Sequence, residues 1–349
     1  MGYPSERHAM PAAVDHVVDL IFGRWRSQIL HAGARLDVFA HLSPEKHRAA
    51  GDVAREIGTD PTMLYRLLRA LATIGLLAEN EAKEFRLTEA GALLRSDHPQ
   101  SLRAMALLEE GPEHYAIWKH LIAMVRDGRQ NGFYREFGVM AFDYANSNSS
   151  YGEVFDEAMS SYSAIQTELV VAALAEDDLS TIGMLCDVAG GHGHLACGFL
   201  KAYPHLRAVV LDRPEVVAQA DRLWAPRLGL ADRCRYIGGD MFGEVPPAEA
   251  YTLKLILHDW SDEECVRILA NIRRSVIGRG QLFVAEHVVP GPAEPHFSKL
   301  FDIHMMCWGT GRERTSEEYA VLLAKSGWEY TRTLRAPDGM MGVVVGTAG

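Results

Sequence analysis

From about Ile182 onward, short apolar runs alternate with amphipathic stretches, and this rhythm limits the fold more than any other feature of the sequence. The runs are Met184–Val188, Ala208–Leu211, Arg235–Ile237, Tyr251–Leu255 and Gln281–Ala285. Each suits one strand, and the intervals suit crossover helices. Strand–helix alternation implies a mostly parallel sheet with helices on both faces. An α/β domain is therefore expected over residues 176–349.

The first run leads into a glycine-rich loop. Met184-Leu185-Cys186-Asp187-Val188 passes into Ala189-Gly190-Gly191-His192-Gly193 and then into a helix through Leu200. Glycine lets a backbone turn sharply and come close to a ligand. A helix N-terminus favours polar or anionic ligand groups. The second run ends at Asp212, where a carboxylate can accept hydrogen bonds from both hydroxyls of a ribose. The dinucleotide fingerprint G-x-G-x-x-G is absent, because Gly191-x-Gly193 is followed by glycine only at Gly198. No pyrophosphate need be held, so a nucleoside without phosphates fits better than a dinucleotide. A nicotinamide-dependent dehydrogenase is disfavoured on the same ground.

The 349 residues are too many for one compact core and suit more than one domain. Residues 1–100 read as a helical domain and 101–175 as a helical linker that contributes to a substrate pocket. Residues 14 to 43 have helical periodicity, with Val17, Val18, Ile21, Ile29, Leu30, Leu36, Phe39 and Leu42 recurring at every third or fourth position. Next come a short helix from Ala50 to Ile57 and a second one opened by Asp60-Pro61, an N-cap with proline at N1. Gly75 ends that helix. Phe85 to Thr88 reads as a wing strand and Thr88 to Leu94 as a further helix, which completes a winged-helix pattern. DNA binding is not expected of it: acids balance bases between residues 46 and 97, and only Arg66 and Arg69 are basic on the helix after Asp60. Its apolar surface suits packing or dimerisation, and a homodimer interlocked through residues 14 to 95 is expected.

The formal net charge of -11 also disfavours nucleic acid and anionic membranes as partners. No apolar run reaches the roughly 18 residues of a membrane helix. Met1 to Ala13 has neither an apolar core nor a small-residue cleavage site, so no signal peptide is read. Cys186, Cys197, Cys234, Cys265 and Cys307 are scattered, with no C-x-x-C pair. An odd, dispersed set suits a reducing cytoplasm and argues against a disulfide framework or a zinc site.

Six motifs follow one another in order: DVAGGHG at Asp187, LDRPEVV at Leu211, GGDMF at Gly238, LKLILHDWSDEEC at Leu253, AEHVVP at Ala285 and GRERTSEEY at Gly311. Together they resemble the S-adenosylmethionine-dependent O-methyltransferases typified by plant caffeate and flavonoid enzymes. Animal acetylserotonin methyltransferase and bacterial antibiotic-pathway enzymes belong to the same class. The resemblance covers nearly the whole chain, including the winged-helix dimerisation domain, and implies a Rossmann-like S-adenosylmethionine-binding domain. It also implies roles. Gly190 and Gly191 would pass beside the methionine moiety, with Asp187 near it, and Asp212 and Arg213 lie in the ribose-binding motif. Asp240 would accept from the adenine amine, with Met241 and Phe242 near the ring, and Lys254 would bond near the cofactor. Ser163 matches a serine that touches the cofactor carboxylate, and Met159 would border both ligands. The family usually has glycine where this chain has Ala189. Alanine is tolerable there with φ below zero.

Within HDWSD, His258 matches the family's catalytic histidine, and Glu286 and Glu313 match the two carboxylates that flank it. Methyl transfer to a phenol benefits from a base, because a phenol with a pKa of about 10 is a poor nucleophile near neutrality. Histidine titrates in the right range. His258 follows the apolar run Leu253 to Leu257, at the sheet edge where open α/β folds bind ligands. Ser261-x-x-Glu264 and Thr315-x-x-Glu318 read as capping boxes. The acceptor pocket is expected from Phe155, Met159, Trp118, Tyr115, Met305, Met306 and Trp308, with Asp259 beside the histidine. Such an aromatic, Met-rich lining suits a flat ring. His192 and His194 lack a carboxylate cluster, and no metal is expected. The leading expectation is O-methylation of a small hydroxylated aromatic metabolite. N-methylation of a heteroaromatic ring is the near alternative, and a non-enzymatic winged-helix regulator that senses the cofactor is the distant one.

Overall fold

A computed structural model of the chain describes residues 12–337 and 339–349. Residues 1–11, on which most of the signal-peptide reading rests, lie outside the described residues. The chain divides into two compact units, one up to Tyr115 and one from Ala116 to Gly349.

In the first unit, the periodic stretch 14–43 resolves into helices Ala12–Ile21 and Gly23–Arg35 and a 3-10 turn at Val38–His41. The last break falls at Asp37, whose φ of 56° leaves the helical region. Helix Pro61–Thr73 begins as its sequence dictates: the Asp60 side chain accepts from the Met63 backbone N–H at 2.8 Å, and Pro61 takes the first turn. Leu64, Leu68 and Leu71 form its buried stripe at helical spacing. The unit also holds a small antiparallel sheet in the order β1 (Arg48–Ala49), β3 (Glu84–Leu87), β2 (Leu77–Glu79). Thus the segment around Phe85 is one arm of a hairpin, not a lone strand.

The second unit is built on seven strands: β4 (Met184–Val188), β5 (Arg207–Asp212), β6 (Cys234–Gly238), β7 (Ala248–Lys254), β8 (Val276–Glu286), β9 (Trp328–Arg335) and β10 (Gly342–Ala348). Their order is β6-β5-β4-β7-β8-β10-β9. The first five are parallel, while β10 runs antiparallel to both β8 and β9. Alternate residues of β4 feed two cores. Leu185 packs with Val170, Leu195 and Phe199 on one face; Cys186 and Val188 pack with Ile268, Leu269 and Leu322 on the other. Helices Ser149–Ala173 and His194–Ala202 cover the first face, and helices Asp262–Arg274 and Ser316–Lys325 the second. Both faces are therefore dry, which is why these strands read as continuous apolar runs. The chain leaves β4 toward β5 on one side and later returns to β7 on the other. That reversal opens a crevice at the C-terminal ends of β4 and β7. Among the described residues no helix is long and apolar enough to cross a membrane.

Candidate active site

Two residues at this crevice hold conformations that side chains rarely adopt. Ala189 follows β4 with φ 54°, and Leu255 follows β7 with φ 52°. The condition under which alanine is tolerable there, φ below zero, is therefore not met: the turn keeps the left-handed geometry that glycine fills without strain. Next to it, Gly190 has no room for a side chain. A Cβ there would lie 2.6 Å from the Asp187 carboxyl group and 3.0 Å from Val210.

Asp187 itself is buried at the end of β4. Its carboxylate accepts from the Thr252 hydroxyl at 2.7 Å and the Ala196 N–H at 3.2 Å, which ties β4 to β7 and to the helix after the glycine turn. Burial pushes its carboxyl up to about 6. Asp212 ends β5 and accepts from the backbone N–H of Gly191 and of Arg213, both at 2.7 Å. Each oxygen keeps acceptor capacity, and burial raises this carboxyl as well. Asp240 is exposed just beyond β6; Met241 and Phe242 follow, half-buried, with Phe242 edge-on to Trp260. Arg213 is exposed and pairs with Glu215. The loop histidines are engaged: His192 with Gln219 at 3.1 Å, His194 with Ser160 at 3.0 Å.

Lys254, at the end of β7, donates to the side-chain oxygen of Gln166 at 3.1 Å. Burial pulls its ammonium down to about 8, against the attraction of Asp187 and Glu286. Gln166 was not foreseen; a single glutamine within a long helix has no motif around it. It does share a helix face with the expected residues. Phe155, Met159, Ser163 and Gln166 recur at helical spacing along Ser149–Ala173.

His258 lies within a 3-10 turn, Leu257–Asp259, beyond the end of β7 at Lys254; the run to Leu257 is not all strand. The imidazole is 6% exposed. Its Nδ1 lies 2.8 Å from Oε1 of Glu313 and 3.7 Å from Oε2 of Glu286, and its Nε2 lies 3.7 Å from Oδ1 of Asp259. Glu313 is thus the hydrogen-bonded partner. Glu286, fully buried at the end of β8, instead accepts from the backbone N–H groups of Ile256 and Leu257 and so holds the turn. One oxygen of each glutamate, Oε2 in both cases, is buried without a hydrogen-bond partner. In the neutral ring, with Nδ1–H donating to Glu313, the lone pair sits on Nε2, which makes no hydrogen bond to the described residues. Burial alone would push this imidazole down, but Glu286, Asp259 and Glu313 together lift it to about 10. Burial also raises Glu286 to about 7 and Asp259 to about 6.

The segment carrying Glu313 comes very close to the histidine turn. A Cβ on Gly311 would lie 1.8 Å from the His258 carbonyl oxygen, so only glycine allows the approach. Both expected capping boxes are formed, Ser261 with Glu264 and Thr315 with Glu318, and they start the helices on either side. Phe301 lies nearly parallel to the His258 ring, with centroids 6.0 Å apart. From it a row of rings runs through His304 to Trp118. Trp308 stacks parallel to Phe155 at 6.0 Å, and Phe142 stands edge-on to both. Met305 is buried, while Met306 is half-buried and its carbonyl accepts from Asn131. Tyr115 belongs to the first unit, where its hydroxyl accepts from Arg24 at 2.5 Å.

One nitrogen of His258 and one oxygen each of Glu286 and Glu313 lie within 4.8 Å of one another. A cation at this spot would have to take the place of the proton that Nδ1 shares with Glu313.

A glycine turn and a strand-end carboxylate at the switch point, with a reversed strand inserted as the sixth of seven, define a class I methyltransferase. Residues 118–329 match the O-methyltransferase domain family, and residues 18–97 match the O-methyltransferase dimerisation domain. The phenazine O-methyltransferase PhzM of Lysobacter antibioticus is 34% identical over 325 residues, 93% of each chain. The crystal structure of LaPhzM superposes with a TM-score of 0.89 at 32% identity, covering 97% of this chain and 100% of that one. Human N-acetylserotonin methyltransferase in complex with S-adenosylmethionine superposes at 0.86 and 26% identity, over the full length of both chains. The chain belongs to this family: it is an S-adenosylmethionine-dependent O-methyltransferase.

Proposed function

We propose that the chain methylates a phenolic hydroxyl on a small aromatic metabolite, with His258 taking the hydroxyl proton at Nε2. The observation that carries this reading is the buried imidazole whose Nδ1 is held by Glu313 at 2.8 Å while Nε2 is left to accept. When bound, S-adenosylmethionine supplies an electrophilic methyl group. The protein's part is to hold the acceptor and manage its proton. Three carboxylates lift the proton affinity of the imidazole above that of an ordinary histidine, which makes Nε2 a better acceptor for a phenolic proton. Glu313 fixes the tautomer and steadies the imidazolium as it forms. Glu286 steadies it too and holds the backbone of the turn.

The residues at the crevice suit the cofactor. Gly190 keeps the turn free of a side chain, and Asp212 has lone pairs to spare for ribose hydroxyls. Asp187, Gly191, Arg213, Asp240, Met241, Phe242, Lys254, Ser163 and Met159 complete the cofactor side in this reading. Phe155, Met159, Trp118, Met305, Met306, Trp308 and Asp259 line the acceptor side in this reading. Relatives named for a phenazine and for acetylserotonin support an aromatic acceptor. The functional form is a homodimer: Val17, Leu20, Ile21, Phe22 and Trp25 are exposed apolar residues on the first two helices and at the junction between them, within or beside the dimerisation match. Neither nucleic acid nor membrane is a partner, and no metal takes part.

The test is turnover of a panel of phenolic and heteroaromatic amine acceptors by the wild type and His258→Ala. The variant is expected to lose about 10²–10⁴-fold in kcat on phenols while binding S-adenosylmethionine normally. Preferential turnover of ring nitrogens, undiminished in the variant, would favour N-methylation instead. Folded protein that binds S-adenosylmethionine and shifts DNA at low salt, but methylates no acceptor, would favour the regulator.

A further inference from the structure

We infer that Arg314 is a positioning residue for the reaction, clamping the backbone on both sides of His258; this rests on the reading of His258 as the base. The Arg314 side chain is fully buried, which for a guanidinium demands partners for all five N–H groups. It has them. Nη1 donates to the Leu257 carbonyl at 2.8 Å and the Arg312 carbonyl at 3.3 Å. Nη2 donates to the Trp260 carbonyl at 2.8 Å and to Oδ1 of Asp262 at 2.8 Å, and Nε donates to the same Oδ1 at 3.0 Å. Leu257 and Trp260 are the residues on either side of the His258-Asp259 pair. The guanidinium therefore spans the turn that carries the base.

The rest of the residue is fixed independently. Its own carbonyl accepts from the Val289 N–H at 2.9 Å, just beyond β8, and Thr315 bridges to Val289. Consecutive residues thus grip the base in two ways: Glu313 holds the ring through Nδ1, and Arg314 holds the backbone beneath it. A shift of the turn would move Nε2 away from any fixed acceptor, and an error of an ångström in such a group can cost about 10²-fold in rate. Lysine cannot replace the clamp. It has three donors and no planar fork, so it leaves at least two of the five positions empty.

The experiment is a double-mutant cycle. Arg314→Lys is made in the wild type and in His258→Ala, with Asp262→Asn, which leaves the guanidinium in place, as a milder second perturbation. In the wild-type background, Arg314→Lys is expected to lower kcat about 10–100-fold, with KM for S-adenosylmethionine within about threefold, and Asp262→Asn to lower kcat about 2–10-fold. In the His258→Ala background, neither should cost more than about twofold, because the group they position is gone. Equal losses in both backgrounds, or a loss confined to KM, would overturn the inference. Should Arg314→Lys fail to fold, the Asp262→Asn cycle decides by the same criteria. Full turnover by His258→Ala alone would instead overturn the reading of the base.

Discussion

Replacing Glu313 with glutamine removes one negative charge and almost no volume, at a carboxylate 2.8 Å from Nδ1 of His258. Both groups are buried, so water cannot take over the lost role. A hydrogen bond to a charged partner is worth about 1.5–3 kcal/mol in such a setting. That corresponds to about 10–150-fold in kcat if it is lost where the imidazolium forms. Glu286 and Asp259 remain, each 3.7 Å from a ring nitrogen, so the imidazole stays more basic than an ordinary one. The same loss lowers its pKa by about one to two units. The sign of the pH effect follows. Turnover needs the neutral ring, so the wild-type rate rises with pH and its acid limb lies above the usual histidine range, consistent with a pKa lifted to about 10. In Glu313→Gln that limb moves to lower pH while the plateau falls. The assay is kcat against pH, from about 6 to 11, so that the wild-type plateau is reached, at saturating S-adenosylmethionine. An amide that turned its N–H toward Nδ1 would force the other tautomer and deepen the loss, so Glu313→Ala, which offers no such donor, is measured alongside. A plateau within twofold of wild type in both variants, or a limb displaced upward, would refute the reasoning.

Ala189→Gly removes a left-handed alanine that costs roughly 1–2 kcal/mol, but adds about 0.4–1 kcal/mol of unfolded-chain freedom. The melting temperature should rise by about 1–3 °C, and a fall would show that Ala189 is not strained. Activity should survive prolonged exposure to a chelator; a loss restored by a divalent metal would overturn the metal-free reading. Light scattering at low micromolar concentration should give twice the chain mass, and a monomer would remove the role assigned to the exposed residues of the first two helices.

The site was legible where its chemistry is local. The turn at Gly190, the carboxylate of Asp212 and the histidine before a capping box all announce themselves within a few residues, because a tight turn, a strand end and a helix start each need particular side chains nearby. What was not legible depends on chain segments far apart. The division of labour between Glu313, on the ring, and Glu286, on the backbone, is set by how residues 311–315 cross the His258 turn. The Gln166–Lys254 bond joins a helix to a strand 88 residues later. Arg314 reads as a structural residue beside a helix cap until its carbonyl partners are seen. The conformation of Ala189 could not be read from its residue type, because the strand before it and the helix after it set φ. Periodicity also marked the parallel strands but not the pair β9 and β10, whose reversed order is a matter of topology.

That pair bears on how the domain is made. Among the described strands β9 has no neighbour but β10, and β10 closes the open edge of β8, the strand that ends in Glu286. During synthesis β8 must therefore wait with one edge bare until more than fifty further residues have emerged, and β9 cannot dock before its successor. Glu286, which holds the histidine turn, thus gains its neighbour Gly342 only when the last strand pairs.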